Sequence, residues 1–447
     1  MIADWFFERL RGFGQDRALA WGDESATYAE LLEKAQQWRE RFSERGVKLG
    51  SVVAIEGGFS PQACSAFLAL LGLGAVIVPL TPLMRAHRDK FLEIAEVQLL
   101  VELDDTEDFT LSAFDRPVTN ALTRKLQERG HPGLVIFSSG STGAPKAILH
   151  DLVTILEKFR KVRQKKTTLT FLLFDHIGGI DTMLNAFGSG GTIVTVPNRT
   201  PEIVARAIER HKVHTLPTSP TFLNLFLISG VWEQRDLSSL QVIAYGTEPM
   251  PQSTLSRLNE VFPSVALVQT YGMSELGVLR SRSRDNQSLW IKFTGEGFET
   301  KVVDGKLWVK AETAMLGYLN APDLFTEDGW LNTQDAVEVD GEYMRILGRA
   351  SDLINVGGQK VYPAEVENLL LQLDNVKEVA VFGKPHPMMG HIVAARFNLK
   401  TPEPLDVFKR RMNAFCRGRI ANFQIPVFVE LVDDEQFGAR FKKMRHE

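Results

Sequence analysis

The sequence predicts an α/β protein in two parts: a large N-terminal domain of α/β layers with a small β-rich part, and a small α+β C-terminal domain. Three observations carry this expectation. The middle of the chain alternates short apolar runs with amphipathic segments, the pattern of strands and helices in a layered sheet. After about residue 290 the pattern changes to short strands and turns, and the last hundred residues read as a unit with strands and a helix of its own. A chain of 447 residues also exceeds what one hydrophobic core usually supports. The expected division is 1–350 and 351–447.

Residues 63–80 carry no charge, but Gly72, Gly74 and Pro79 interrupt them. They read as a buried helix over 61–71 followed by a strand over 75–78, not as a membrane span. Leu134, Val135, Ile136 and Phe137 form a short apolar strand. A strand is expected over 192–196. Thr200, Pro201 and Glu202 then supply an N-cap, a proline at the first helical position and an early acid for a helix reaching His211. Extended segments follow over 213–216, 240–245 and 266–271, and ligand-binding loops belong at the C-terminal ends of such strands. A short strand is expected over 305–309. In the last part, strands over 378–382 and 392–397 precede a helix with Leu405, Phe408, Met412, Phe415 and Cys416 on one face.

Hydrophobic content of 44% and charged content of 24% are those of a globular protein. A net charge of −4 gives no general attraction to nucleic acid or anionic membrane. Two cysteines, Cys64 and Cys416, make a disulfide framework implausible and suit a reducing cytoplasm. The N-terminus lacks the basic-then-apolar design of a signal peptide, so a cytoplasmic protein without a transmembrane segment is expected. None of the nine histidines has metal-site spacing, and no structural zinc is proposed. The basic run Lys158, Arg160, Lys161, Arg163, Lys165 and Lys166 reads as a solvated helix face. Its alternative is a docking patch for an acidic protein or for phosphate groups.

The chemistry begins at Ser138, Ser139, Gly140, Ser141, Thr142, Gly143, Ala144, Pro145, Lys146 and Ala147, directly after the 134–137 strand. Small residues let backbone N–H groups approach an anion, hydroxyls add donors, and Lys146 brings a mobile positive charge. The Walker pattern is absent. This order of residues resembles the phosphate-binding signature of the acyl-adenylate-forming superfamily, Ser/Thr-Ser-Gly-Ser/Thr-Thr-Gly-x-Pro-Lys-Gly, with Ala147 at the last glycine. The superfamily holds acyl-CoA synthetases and adenylation enzymes.

Further motifs follow in the superfamily's order. Tyr271, Gly272, Met273, Ser274 and Glu275 resemble its Tyr-Gly-x-Ser/Thr-Glu. That resemblance implies an aromatic on the adenine, Ser274 at the α-phosphate and Glu275 on Mg²⁺. The stretch 328–335 resembles Gly-Trp-Phe/Leu-x-Thr-Gly-Asp, which assigns Asp335 to the ribose hydroxyls and puts Gln334 in place of a glycine. The stretch 343–367 is similar to another family signature. It implies Arg349 at the ribose, Asp352 as a hinge of a mobile small domain, and Gly358 where a phosphopantetheine arm passes. Asn355 stands where a lysine is frequent, and Glu365 and Glu367 read equally well as parts of a helix start. The tail 438–445 keeps only Lys-x-x-Arg of the family's closing motif, which puts Lys442 at the catalytic position, with Lys443 in reserve. Phe174, Asp175, His176, Ile177, Gly178 and Gly179 resemble the motif that lines the acid pocket. His176 and Asp175 are therefore substrate-pocket candidates, although Asp175 also reads as a residue turned away to bond its own chain. Thr218, Tyr245, Gly246 and Thr247 are expected in the pocket or adenine site.

The resemblance implies a ligase that joins a small carboxylic acid to a thiol through an acyl-AMP, with ATP and Mg²⁺. The acceptor would be CoA or the phosphopantetheine of an acyl carrier protein. The alternative is a degenerate homologue that binds nucleotide or acyl ligand without turnover.

Overall fold

The computed structural model describes residues 3–139 and 145–444. Two seven-stranded sheets frame the large domain. The first orders Ala266–Gln269, Val242–Tyr245, Thr215–Thr218, Thr167–Leu169, Thr192–Thr195, Arg17–Trp21 and Glu24–Thr27, all parallel except the last pair. The second orders Gly317–Tyr318, Pro145–Asp151, Gly133–Ser139, Val76–Leu80, Val52–Glu56, Leu99–Leu103 and Phe109–Ala113. It is parallel at its centre and antiparallel at both edges.

Helices Tyr28–Glu44, Pro61–Leu73 and Ile177–Gly188 share one apolar core with both sheets: Leu31, Phe67 and Leu184 lie with Leu19 and Ile193 of the first sheet and Val53 and Ile77 of the second. Pro61–Leu73 is bounded as its residues dictate. The Ser60 hydroxyl accepts from Ala63 N–H, Pro61 opens the helix, and Gly74 ends it in a left-handed turn. Its apolar circumference is buried on nearly every side. Among the described residues no helix is long and apolar enough to cross a membrane.

A six-stranded antiparallel sheet follows, ordered Ser281–Ser283, Trp290–Phe293, Tyr343–Arg349, Leu331–Asp340, Lys306–Ala311 and Phe298–Val303. The smaller C-terminal part is a sheet of Gln359–Val361, Ile354–Val356, Gly390–Leu399, Val376–His386 and Phe428–Leu431, covered by helices Pro363–Leu370 and Leu405–Cys416.

The fold departs from the sequence reading in three places. The extended segment expected over 266–271 stops at Gln269. Tyr271–Met273 leaves the sheet and pairs instead with Gly277–Leu279. The basic run is not helical, because its helix, Leu152–Glu157, ends before it. Three of its side chains form ion pairs, Lys158 with Asp181, Arg160 with Glu157 and Lys165 with Asp16. On the last helix Phe408, Met412 and Cys416 are buried, whereas Leu405, at its first position, is exposed.

Candidate active site

Strands Gly133–Ser139 and Pro145–Asp151 form a hairpin in which Ser138 faces Lys146 and Ser139 faces Pro145. Gly140, Ser141, Thr142 and Gly143 lie outside the described residues. Lys146 places its ammonium 5.1 Å from the Tyr318 ring centre. Tyr318 sits on the two-residue strand that pairs with Ile148 and Leu149, and its hydroxyl donates to Glu275 Oε1 at 2.7 Å. The glycine-rich hairpin, its lysine and the Glu275 carboxylate are thus joined through one tyrosine. Beneath them His150 is fully buried, and its Nε2 donates to the Ser274 carbonyl at 2.7 Å. Burial holds this imidazole neutral, down to about 4.

A second cluster is built across strands. Asp335 and Arg349 are direct partners on Leu331–Asp340 and Tyr343–Arg349, and the guanidinium Nε lies 3.6 Å from Asp335 Oδ1. The Tyr271 hydroxyl donates to Asp335 Oδ2 at 2.6 Å, and Asp335 N–H donates to the Thr333 hydroxyl. Burial raises the Asp335 pKa, opposed by the Tyr271 hydrogen bond and by Arg349. Tyr271 therefore has a task the motif did not announce: its ring meets Phe293 edge-on while its hydroxyl orients Asp335. Gln334 adopts φ 61°, a left-handed conformation that glycine takes without steric cost, and its side chain accepts from Lys306 Nζ. Asp335 keeps its place despite the substitution.

At the strand ends, Thr218 and Tyr245 are directly paired and buried. A Cβ on Gly246 would come within 2.6 Å of the Thr270 hydroxyl and 2.8 Å of its carbonyl, so only glycine allows this close approach. The hydroxyls of Thr218 and Thr247 are buried without a hydrogen-bond partner among the described residues. Buried polar atoms normally find partners in protein groups or ordered water.

His176 caps helix Ile177–Gly188, with Nδ1 accepting from Gly178 N–H at 3.0 Å. Burial first, then the charges of Lys442 and Arg440, bring its pKa down to about 3. The neutral ring therefore carries its proton on Nε2, which remains a donor. Its neighbour Asp175 is buried. Its Oδ2 accepts from the Thr81 hydroxyl at 3.0 Å and from Arg440 Nη2 at 2.7 Å.

The C-terminal tail closes the site as a tight hairpin. Gly438 N–H donates to the Lys442 carbonyl, Phe441 N–H to the Gly438 carbonyl, and Phe437 bridges Lys443. Phe441 packs against both Phe171 and Phe222 of the large domain, which also touch each other. Lys442 is exposed, with Arg349, Glu248, Arg440 and Asp335 near enough for their charges to act on it. Desolvation lowers its pKa, followed by the repulsion of Arg349, while Glu248 and Asp335 oppose the drop. Lys443 turns the other way and pairs with buried Glu367 at 3.1 Å. Of the two candidate lysines, Lys442 is the one among the site's charges.

On the small domain, Gly358 adopts φ 90° in the turn between Ile354–Val356 and Gln359–Val361, and Asn355 Oδ1 accepts its N–H at 2.9 Å. A Cβ there would meet nothing within 4 Å, so in this arrangement the backbone conformation, not crowding, calls for glycine. Asp352 follows strand Tyr343–Arg349 in a single 3₁₀ turn and accepts from the Ser351 hydroxyl. Tyr318, Glu248, Arg199 and Arg440 belong to the site but escaped sequence reading. Arg440 alone had a signal, since it falls where the closing motif breaks down.

The model of the AMP-binding enzyme family matches residues 6–319, and that of the AMP-binding enzyme C-terminal domain matches 365–438. The chain belongs to the AMP-binding enzyme family. Among curated members of this family, a 3-[(3aS,4S,7aS)-7a-methyl-1,5-dioxo-octahydro-1H-inden-4-yl]propanoyl:CoA ligase of Rhodococcus jostii is 27% identical, over 95% of this chain and 93% of that protein. An indoleacetate–CoA ligase of Aromatoleum aromaticum is 27% identical over 93% and 91%. The solved structure of an anthranilate CoA ligase with anthranoyl-AMP aligns with a TM-score of 0.84 at 21% identity, covering 98% of this chain and 95% of that one. At that identity the likeness is one of fold.

Proposed function

We propose that this AMP-binding enzyme converts a small carboxylic acid to an acyl-AMP with ATP, then passes the acyl group to the thiol of CoA. The observation that carries the reading is that Lys442 lies within electrostatic reach of the Asp335–Arg349 pair and of His176. In the first step a carboxylate oxygen attacks the α-phosphorus and pyrophosphate leaves. In the second, a thiolate attacks the acyl carbon and AMP leaves. Both steps depend on positioning and on charge stabilisation.

Asp335 has two acceptor oxygens for the ribose hydroxyls, and Arg349 stands beside it. The 138–146 hairpin and Lys146 hold the triphosphate, and Ser274 lies at the α-phosphate. Thr218, Tyr245, Gly246 and Thr247 form the adenine and acid pocket. Lys442 supplies positive charge between the carboxylate and α-phosphate oxygens as negative charge shifts in the transition state. His176 offers its Nε2–H to the acid. Glu275 is an oxygen donor of the kind magnesium takes, held by the Tyr318 hydroxyl, and it would hold Mg²⁺. That ion, when bound, offsets phosphate charge.

The small domain, residues 351–447, turns on the Asp352 segment between the two steps, withdrawing Lys442 and bringing the Gly358 face to the thiol. A carrier-protein phosphopantetheine is the second acceptor to consider. The two buried, unlinked cysteines fit a cytoplasmic setting. Relatives named for indoleacetate, ferulate and 2-succinylbenzoate place ring-bearing acids first in the search.

The test is carboxylate-dependent ATP–pyrophosphate exchange with aryl, short-chain, long-chain and amino acids. Exchange with one class, followed by thioester formation with CoA, is expected. ATP binding without exchange for any acid would favour a non-catalytic binder.

A further inference from the structure

The break in the closing motif coincides with contacts that the sequence did not announce. Arg440 lies two residues before Lys442 and reaches into the large domain, where Nη2 meets Asp175 Oδ2 at 2.7 Å and Met84 Sδ at 3.7 Å. Asp175 is 4% exposed, and Thr81 supplies its other hydrogen bond to the same oxygen. Arg199 Nη2 donates to the Ala439 carbonyl at 2.7 Å, and its guanidinium lies over both Phe171 and Phe441. The turn that presents Lys442 is thus held on three sides by the large domain.

We propose that Arg440, clamped by Asp175, is a positioning residue that seats Lys442 for acyl-adenylate formation and disengages for thioester formation. The inference rests on the function proposed above. The physical reason is that Asp175 is a buried carboxylate, which is costly without a partner. Thr81 and the more distant charge of Arg199 serve it from the large domain, but the small domain supplies the hydrogen-bonded cation only while its tail is docked. Docking therefore offsets the cost of burying Asp175. Asp175 also neutralises a cation that would otherwise oppose Lys442 at close range, since Arg440 is among the charges that depress the Lys442 pKa. The acid-pocket aspartate is thereby committed to the chain's own arginine. An α-amino group on the substrate would have to compete with that guanidinium.

The experiment uses the full chain with Arg440→Ala, Arg440→Lys and Asp175→Asn. Exchange is measured with whichever panel acid serves the wild type best, and thioester formation is measured from the corresponding acyl-adenylate and CoA. For Arg440→Ala the exchange kcat is expected to fall about 100-fold, the effect of a misplaced catalytic group. Its KM for the acid and its thioester step should stay within about threefold. Arg440→Lys should restore a good part of the loss, and Asp175→Asn should reproduce it. Amide hydrogen exchange over 436–444 in the unliganded protein should quicken in Arg440→Ala at least about tenfold. Unchanged exchange kcat, equal loss of both steps, or a rise in acid KM alone would overturn the proposal. A wild type silent with every acid would sink the functional reading, and hydrogen exchange would then judge the clamp independently: unchanged protection would overturn it.

Discussion

Lys442 and Lys443 are adjacent and identical in chemistry, yet the fold assigns them opposite duties. Lys442 lies among Arg349, Asp335 and Glu248, whereas Lys443 neutralises Glu367 in the small-domain core. Lys442→Ala should slow ATP–pyrophosphate exchange about 100–1,000-fold, the range for removing one preorganised donor to a developing charge. Its melting temperature should barely move. Lys443→Ala should do the reverse: about 3 kcal/mol of stability lost, because the buried Glu367 carboxylate loses the Lys443 cation, with exchange reduced less than tenfold. Thermal melts beside exchange assays separate the two. A one-residue register was legible only as a preference for Lys-x-x-Arg. The hairpin at Gly438, with Phe441 at φ 52°, is what sends the two side chains to different neighbours.

At the scale of elements, the hairpin of Gly133–Ser139 and Pro145–Asp151 does more than present a phosphate loop. Its second strand buries His150, which supports the Ser274 carbonyl from below and ties the glycine-rich hairpin to the Ser274–Glu275 turn. Since the folded pKa lies near 4, below the free value of about 6.5, the unfolded chain binds the proton more readily. Stability from this group is full above about pH 6.5 and is lost as pH falls towards 4. His150→Gln keeps a donor for the carbonyl without titrating. Its melting temperature should fall less steeply than that of the wild type across this interval, and equal slopes would refute the assignment. The first strand of the hairpin was readable from its apolar residues, whereas the second was not. That His150 faces inward to another motif, 124 residues away, was not readable either, because alternation along a strand reveals a face but not its neighbour.

For the whole molecule, the arrangement is the docked one, with the tail hairpin seated in the large domain. Gly358 stands exposed in the small domain, where a Cβ has open space. Gly358→Trp should therefore leave adenylation within about threefold while cutting thioester formation at least about tenfold, the signature of an interaction made in one step only. Half-reactions measured separately with CoA decide it. Equal loss of both would mean that the turn matters for folding alone, as a bulky residue at φ 90° could bring about.

The sequence by itself determined the α/β class, the succession of helix Pro201–His211 and its flanking strands, and the identity of the nucleotide motifs. Those features are local: capping residues, short apolar runs and loop chemistry act over a few residues. Tertiary structure alone decided that Tyr271 orients Asp335, that Tyr318 links Lys146 with Glu275, and that Arg440 clamps Asp175 across 265 residues. Each of these is a contact between groups distant in sequence. Its geometry depends on how sheets and domains lie against one another, and no periodicity or spacing along the chain encodes it.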